Sequence, residues 1–291
     1  MNDFSKNFQE YISPDCNRME FICSYLRKNG ISPKIVQIDG KNHILVQYSS
    51  RFYNPQFKIK TVIAHYDRVE NSPGANDNSA ADFQIMNWAV LLKTFPYFHN
   101  VRIFFTDGEE LGKNTGISGQ GAFGLASTFR RLGITNDDVY VFDACGRGTV
   151  PVLSRTILPK NAPGKFKKNF NGLFRRTENL LRSACGKNWI TLPVPYSDNA
   201  SFIACAIPAV AITMLPANEA SEYAMNLSKN PMLENKVLNR TNSISEDSCR
   251  QSLPLTWQLF HTPEDNISSL TAESFSVMAG ILNALAVMES Y

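Results

Sequence analysis

The sequence has little that would direct the protein to a membrane or to nucleic acid. No apolar stretch approaches the ~20 residues that a membrane-spanning helix needs, so no membrane span is predicted. Residues 1–29 lack a basic segment followed by a long apolar run, as a secretory signal would have, and we expect a cytoplasmic protein. Basic residues exceed acidic ones by only three, 29 against 26, which does not indicate nucleic-acid binding.

Cysteine and histidine are also sparse. The six cysteines include no Cys-x-x-Cys pair, and we interpret most of them as small core side chains. Cys145 lies two residues after Asp143, but no histidine accompanies it locally, so a catalytic thiol is disfavoured. Of the four histidines, His43 and His99 have no neighbouring site residues, and we expect structural or surface roles for both.

One local charge cluster has two interpretations. It could bind an anionic partner, or it could be a solvated loop and helix face, which we favour. Its members are Lys160, Lys165, Lys167, Lys168, Arg175, Arg176, Arg182 and Lys187.

Alternating strand and helix patterns predict the fold class. They indicate a single α/β domain over residues 1–291, with a mostly parallel central sheet between two helical layers. Residues 1–30 are expected to form an N-terminal amphipathic helix. Predicted strands cover 34–39, 43–48, 60–64, 101–105, 139–142 and 209–214, the first two as a hairpin; predicted helices cover 79–94, 121–132, 172–185, 197–206 and 271–289.

Two further local features are predicted. Ser79 with Asp82 has the spacing of a capping box at a helix start. The polar segment from Pro216 to Pro254 is long for a loop and leads into Trp257 to His261. It is either an active-site lid, which would extend to residue 256, or an ordinary segment that interrupts the alternation of strands and helices.

Two imidazoles and a set of carboxylates occur where strands end or helices begin. An open α/β sheet places its ligand crevice there. The candidate residues are, in chain order, His65, Asp77, Glu109, Glu110, Asp143 and His261. Two histidines with three carboxylates can hold two zinc ions, and one carboxylate remains to move protons; cobalt or manganese could substitute.

The immediate neighbours of these residues suit such a site, although each also has an ordinary structural interpretation. Alternate residues of a strand share a face, so Asp67 could orient the His65 imidazole. Neighbouring side chains in extended backbone point apart, so one of Glu109 and Glu110 can face a metal while the other faces a water. Taken alone, His65 could be a structural histidine and Asp77 a turn residue before a helix cap.

Six segments together carry a family resemblance. They are AHYD at 64–67, PGANDNSA at 73–80, FFTDGEE at 104–110, VFD at 141–143, SDNASF at 197–202 with IPAVAIT at 207–213, and FHTPEDNISSL at 260–270. In this order they resemble the zinc aminopeptidase superfamily that includes bacterial leucyl aminopeptidases, glutamate carboxypeptidase and glutaminyl cyclase. The resemblance implies a zinc-exopeptidase type of fold.

The resemblance also implies roles for the candidate residues. His65 and Asp143 would bind one zinc, Glu110 and His261 the other, and Asp77 would bridge the two ions. Glu109 would be the general base, and Asp67 would orient His65. A cis peptide bond between Asp77 and Asn78 is implied as well.

The chain departs from the family pattern at two positions. Aminopeptidases of this superfamily often have tyrosine before the last histidine, where its hydroxyl stabilises the oxyanion, but this chain has Phe260. Tyr196, Tyr223 or Arg147 would have to replace that donor, unless the metals act alone. Family members also often have histidine where this chain has Asn199, which affects substrate contacts rather than metal binding.

We therefore expect a zinc aminopeptidase that hydrolyses the N-terminal bond of a peptide or aminoacyl substrate. Glu109 would act on a water activated by the metal pair. A single-zinc glutaminyl cyclase and a catalytically silent peptide-binding relative are alternatives. A carboxypeptidase or an amidohydrolase of small amides also stays open.

Overall fold

The computed structural model describes residues 2–239 and 252–291. Within them one sheet is formed by β1 (Lys34–Ile38), β2 (Lys41–Gln47), β3 (Lys60–His65), β4 (Val101–Thr106), β5 (Asp138–Phe142), β6 (Val150–Ser154), β7 (Ile190–Leu192) and β8 (Ala209–Leu215). Their order is β1-β2-β4-β3-β5-β8-β6-β7. The four central strands β4, β3, β5 and β8 are parallel to one another. The pairs β1–β2, β2–β4 and β6–β8 are antiparallel. The predicted α/β class and the hairpin of β1 and β2 are confirmed.

Helices cover both faces of the sheet. They are α1 (Asn2–Ile12), α2 (Arg18–Lys28), α3 (Ala80–Leu92), α4 (Gly112–Thr115), α5 (Gly121–Arg131), α6 (Gly164–Cys185), α7 (Asn199–Ala204), α8 (Ala217–Lys229), α9 (Pro231–Asn239), α10 (Leu255–Gln258) and α11 (Ala272–Val287). In β3, Val62 and Ala64 face one core with α1–α3, α6 and α11, and Ile63 faces the other with α5 and α7. Burial on both faces explains why the central strands are continuously apolar. Among the described helices, none has both the length and the apolar character required to cross a bilayer.

The segment after Pro216 was expected to be a long loop, but its described part, residues 216–239, is largely helical. Helices α8 and α9 pack with α10 against β6 to β8 through a third apolar cluster. The rings of Tyr223 and Trp257 meet edge to face, with their centroids 4.9 Å apart. Ala220, Tyr223 and Leu227 have helical spacing, which the intervening polar residues obscured. Residues 240–251, which the lid prediction includes, lie outside the described residues.

Several local predictions were wrong. The N-terminal region contains two helices, because Pro14 lies in the segment that separates them and proline is not tolerated in a helix interior. Strands β6 and β7 were not predicted: β6 contains Pro151, and β7 has only three residues. The capping box is not formed. The chain enters α3 through the turn Ala75–Ser79, in which Asp77 and Asn78 have non-helical backbone angles, whereas Ser79 already has helical angles and its side chain makes no capping hydrogen bond.

Candidate metal centre

Parallel strands bring the predicted ligands to one edge of the sheet. His65 ends β3, Asp143 follows β5, and Glu110 follows the turn after β4. These strands are neighbours in the order β4-β3-β5, so their carboxyl ends lie side by side. Asp77 comes from the turn before α3, and His261 follows α10.

The five side chains form two groups that share Asp77. In the first group, His65 Nε2 lies 3.1 Å from Asp77 Oδ1 and 3.8 Å from Asp143 Oδ1. In the second, His261 Nε2 lies 2.9 Å from Glu110 Oε2 and 3.5 Å from Asp77 Oδ2. Each oxygen of the Asp77 carboxylate therefore belongs to a different group.

These separations fit zinc coordination. Two ligands at 2.0–2.2 Å from one tetrahedral zinc lie about 3.3–3.6 Å apart, and the four separations, from 2.9 to 3.8 Å, span that range. Among the described residues, His65 Nε2 and Asp143 Oδ1 are buried without a hydrogen-bond partner, as expected for atoms that bind a metal. Nitrogen and carboxylate donors without a thiolate suit zinc.

The electrostatics of the centre favour a cation. Burial lowers the pKa of His261, but hydrogen bonds with Asp77 and Glu110 outweigh this effect and raise the pKa to about 10. The carboxylates therefore attract positive charge to this position, whether a proton or a metal ion supplies it.

Asp67 links three site residues. Its Oδ1 lies 3.5 Å from His65 Nδ1, on the opposite side of the imidazole from Asp77. Its two oxygens also accept hydrogen bonds from the backbone N–H groups of Glu109 (3.1 Å) and Glu110 (3.0 Å). One carboxylate thus lies beside the imidazole and binds the turn that carries both glutamates.

Glu109 lies in a buried hydrogen-bonded chain that the sequence did not indicate. Gln120 Nε2 donates to Glu109 Oε1 at 2.7 Å, and Gln120 Oε1 accepts from Ser201 Oγ at 2.9 Å. All three side chains are buried. Gln120 is uncharged and far from the quoted motifs, so no pattern in the sequence pointed to it.

The turn that carries Asp77 is held by three hydrogen bonds, two to Asp265 and one to Phe142. The backbone N–H groups of Asn76 and Asp77 donate to the two oxygens of Asp265, at 2.8 and 3.1 Å. Asn78 Nδ2 donates to Phe142 O, beside Asp143, at 2.9 Å. The peptide bond between Asp77 and Asn78 is cis, as the resemblance implies. Asp265 lies within a quoted motif, but its role was not predicted.

A second buried carboxylate lies near His65. Asp198 Oδ2 accepts a hydrogen bond from Thr106 Oγ1 at 2.5 Å, and burial raises the pKa of Asp198 to about 7. The next residue, Asn199, is also buried, and its Oδ1 has no hydrogen-bond partner among the described residues.

Two of the three suggested oxyanion donors are bound elsewhere. Tyr223 donates its hydroxyl proton to Pro193 O. Arg147 binds Glu219, Thr256 and Ser269.

The catalytic thiol that the sequence disfavoured also lacks support in the geometry. Cys145 is buried, and its thiol donates to Ile212 O at 3.3 Å. Burial raises the pKa of this thiol well above its usual value, so little thiolate forms near neutral pH.

Solved structures with this fold include enzymes of two kinds. The aminopeptidase LapA of Legionella pneumophila superposes with a TM-score of 0.63 at 15% identity, over 98% of this chain and 70% of its own. BSAP, a zinc aminopeptidase from Bacillus subtilis, gives 0.54 at 17% identity, over 84% of this chain and 49% of its own. Glutaminyl cyclase of Porphyromonas gingivalis gives 0.61 at 14% identity, over 98% of this chain and 96% of its own.

Sequence comparison defines the family. No curated protein matches the chain. The family model described as Peptidase family M28 matches residues 53–286, and this range contains all the predicted site residues. Membership of this family supports a zinc-dependent hydrolase that acts on peptides. The chain belongs to peptidase family M28.

Proposed function

We propose that the protein is a zinc aminopeptidase with two metal ions. His65 and Asp143 would hold one ion, Glu110 and His261 the other, and Asp77 both. The observation that carries this proposal is the division of the Asp77 carboxylate between two ligand groups. A one-metal enzyme has no need of that arrangement.

Glu109 is the proposed general base. When bound, the zinc ions would supply Lewis acidity to the scissile carbonyl and to the attacking water. Glu109 would take a proton from that water and deliver it to the leaving amine. Asp67 supports this role because it binds the backbone of Glu109 while it orients His65.

Charge favours an N-terminal amine over a C-terminal carboxylate as the substrate group bound. The carboxylates of Asp67 and Glu109 lie at the same edge of the sheet as the ligand carboxylates, and this negative charge suits an ammonium group. A carboxypeptidase needs a free cation for the substrate carboxylate. Arg147 does not offer one, because its guanidinium is bound to Glu219, Thr256 and Ser269.

The test combines metal analysis with a substrate panel. The purified protein is assayed on aminoacyl chromophores before chelation, after chelation and after zinc is restored. We expect two zinc ions per chain and activity that is lost and regained with the metal. Peptides blocked at the N-terminus serve as controls and should not be cleaved. A fully zinc-loaded protein that cleaves nothing in the panel would indicate the catalytically silent alternative.

Glutaminyl cyclase is the second candidate. Its support is that the Porphyromonas gingivalis cyclase shares the fold of this chain, with a TM-score of 0.61 over 98% of this chain's residues. Phe260, in place of the tyrosine common in aminopeptidases, is compatible with it. Mass spectrometry of a peptide with N-terminal glutamine separates the two activities: an aminopeptidase releases glutamine, whereas a cyclase releases ammonia and leaves a pyroglutamyl peptide.

A further inference from the structure

Arg18 lies outside the part of the chain that matches the family, yet it binds the loop between two predicted ligands. It is the first residue of α2 and only 6% exposed. Its Nη1 donates to Tyr66 O at 3.0 Å. Its Nη2 donates to Pro73 O at 2.8 Å and to Ser79 Oγ at 2.7 Å. One guanidinium therefore joins three points of residues 66–79.

These three points adjoin both predicted ligands. Tyr66 directly follows His65, and Asp77 lies between Pro73 and Ser79. The segment between the two ligands has no helix or strand before Ala75. A planar side chain that binds both of its ends restricts how far His65 and Asp77 can move apart.

Arg68 makes the reverse connection, from this loop to the N-terminal segment. Its Nη1 donates to Ile12 O at 2.8 Å, and its Nη2 donates to Ser13 O and Pro14 O at 2.8 and 2.9 Å. These carbonyls belong to the end of α1 and the connection to α2. The loop and the N-terminal helices are therefore joined from both sides.

The backbone of the loop is closely packed where these contacts meet. Gly74 has φ +59°, and a β-carbon there would lie 2.6 Å from Asp77 O and 3.3 Å from Arg18 Nη2. Ser79 Oγ, which Arg18 binds, donates in turn to Gly74 O at 2.5 Å. The turn that carries Asp77 thus has little freedom while Arg18 is in place.

Helices α1 and α2 are themselves anchored to the body of the protein. Tyr11 donates a buried hydrogen bond of 2.7 Å to Asp82, in the first turn of α3. The Arg18 guanidinium carbon lies 4.9 Å from the centre of the Tyr11 ring. Phe8 packs on Phe83 with ring centroids 5.1 Å apart. The contacts of Arg18 therefore rest on a fixed support.

We propose that α1 and α2 position the metal centre, with Arg18 as the positioning residue that holds His65 and Asp77 at the separation required for metal binding. This inference rests on the proposed metal site. Groups that orient metal ligands typically contribute 10–100-fold to metal affinity, so the loss of Arg18 should weaken zinc binding by at least ~10-fold.

The test is a competition for zinc between the full-length protein and a chromophoric chelator, which does not depend on catalysis. Arg18→Met is compared with Arg27→Met, which removes an exposed arginine from the same helix. Lys60→Met is a second control. Lys60 Nζ donates to Leu285 O, Ala286 O and Met288 O at the end of α11, so this variant should destabilise the fold without removing a contact of residues 66–79. We expect weaker zinc binding in Arg18→Met and unchanged binding in both controls, with circular dichroism to verify folding.

The outcomes are separable. Wild-type affinity in folded Arg18→Met would overturn the inference and leave the proposed function intact. An absence of zinc binding in the wild type would instead contradict the proposed function. If Arg18→Met does not fold, Arg18→Lys replaces it, because one ammonium cannot bind Tyr66 O and both contacts near Asp77 in the same way. Weakened binding in that variant supports the positioning role, and wild-type binding overturns it.

Discussion

Gln120 donates a hydrogen bond of 2.7 Å to Glu109, the proposed general base, inside the protein. Gln120→Met removes this bond at similar volume and leaves the metal ligands in place. We expect kcat to fall about 10-fold with little change in KM, because the base is less well placed while substrate binding persists. Gln56→Met, at an exposed position, is the matched control. A change confined to KM would assign Gln120 to substrate binding instead.

Glu109→Gln tests the base directly. The substitution keeps the shape and removes the proton acceptor, and general-base catalysis contributes typically ~10²–10⁴-fold. We expect a loss of that size on aminoacyl chromophores, with zinc content unchanged by elemental analysis. Exposed Glu70→Gln should behave as the wild type. Full turnover in Glu109→Gln would remove this residue from the role.

Asp77→Ala should affect both metal positions, since its two oxygens belong to different ligand groups. We expect Asp143→Ala and Glu110→Ala each to weaken one zinc position, and Asp77→Ala to weaken both. Zinc titration followed by isothermal calorimetry counts the positions. If Asp77→Ala lost no more zinc than Asp143→Ala, the shared carboxylate would be ruled out.

Lys60 joins β3 to the end of α11. Its Nζ donates to Leu285 O, Ala286 O and Met288 O at 2.7, 3.2 and 2.5 Å, in a site where the side chain is buried. Lys60→Met would leave these carbonyls without that donor, and we expect a loss of about 1–3 kcal/mol in the free energy of unfolding. Chemical denaturation measures it, with exposed Lys34→Met as the control. A loss no larger than in the control would contradict this assignment.

The same lysine should make stability depend on pH. Burial lowers the pKa of Lys60 to about 7, against the opposing charges of Asp138 and Glu289. Between pH ~7 and ~10.4 the unfolded chain binds a proton at this residue that the folded protein does not, and the neutral amine then has N–H donors for two of the three carbonyls. The free energy of unfolding should therefore rise with pH across this window in the wild type, relative to Lys60→Met. Parallel profiles of the two proteins would show that Lys60 stays charged when folded.

The sequence predicted the parts of the structure that depend on local pattern. Apolar runs predicted the central strands, and the charged residues at their ends predicted the site, because parallel strands bring such residues to one edge. Uncharged partners such as Gln120 had no signal, since their role depends on a contact with Glu109 across the fold. Arg18 is 48 residues from Tyr66, and its role depends on packing between α2 and the metal loop. Helices α8 and α9 were missed because the polar residues between their apolar positions obscured the helical spacing.

The most direct test of the central claim is an anomalous difference map at the zinc absorption edge, from crystals grown with zinc. We predict two peaks of similar height about 3.5–4 Å apart, one on each side of Asp77. The peak between His65 and Asp143 should disappear in Asp143→Ala. A single peak at any zinc concentration, or two peaks that do not share Asp77, would contradict the two-metal centre and the function derived from it.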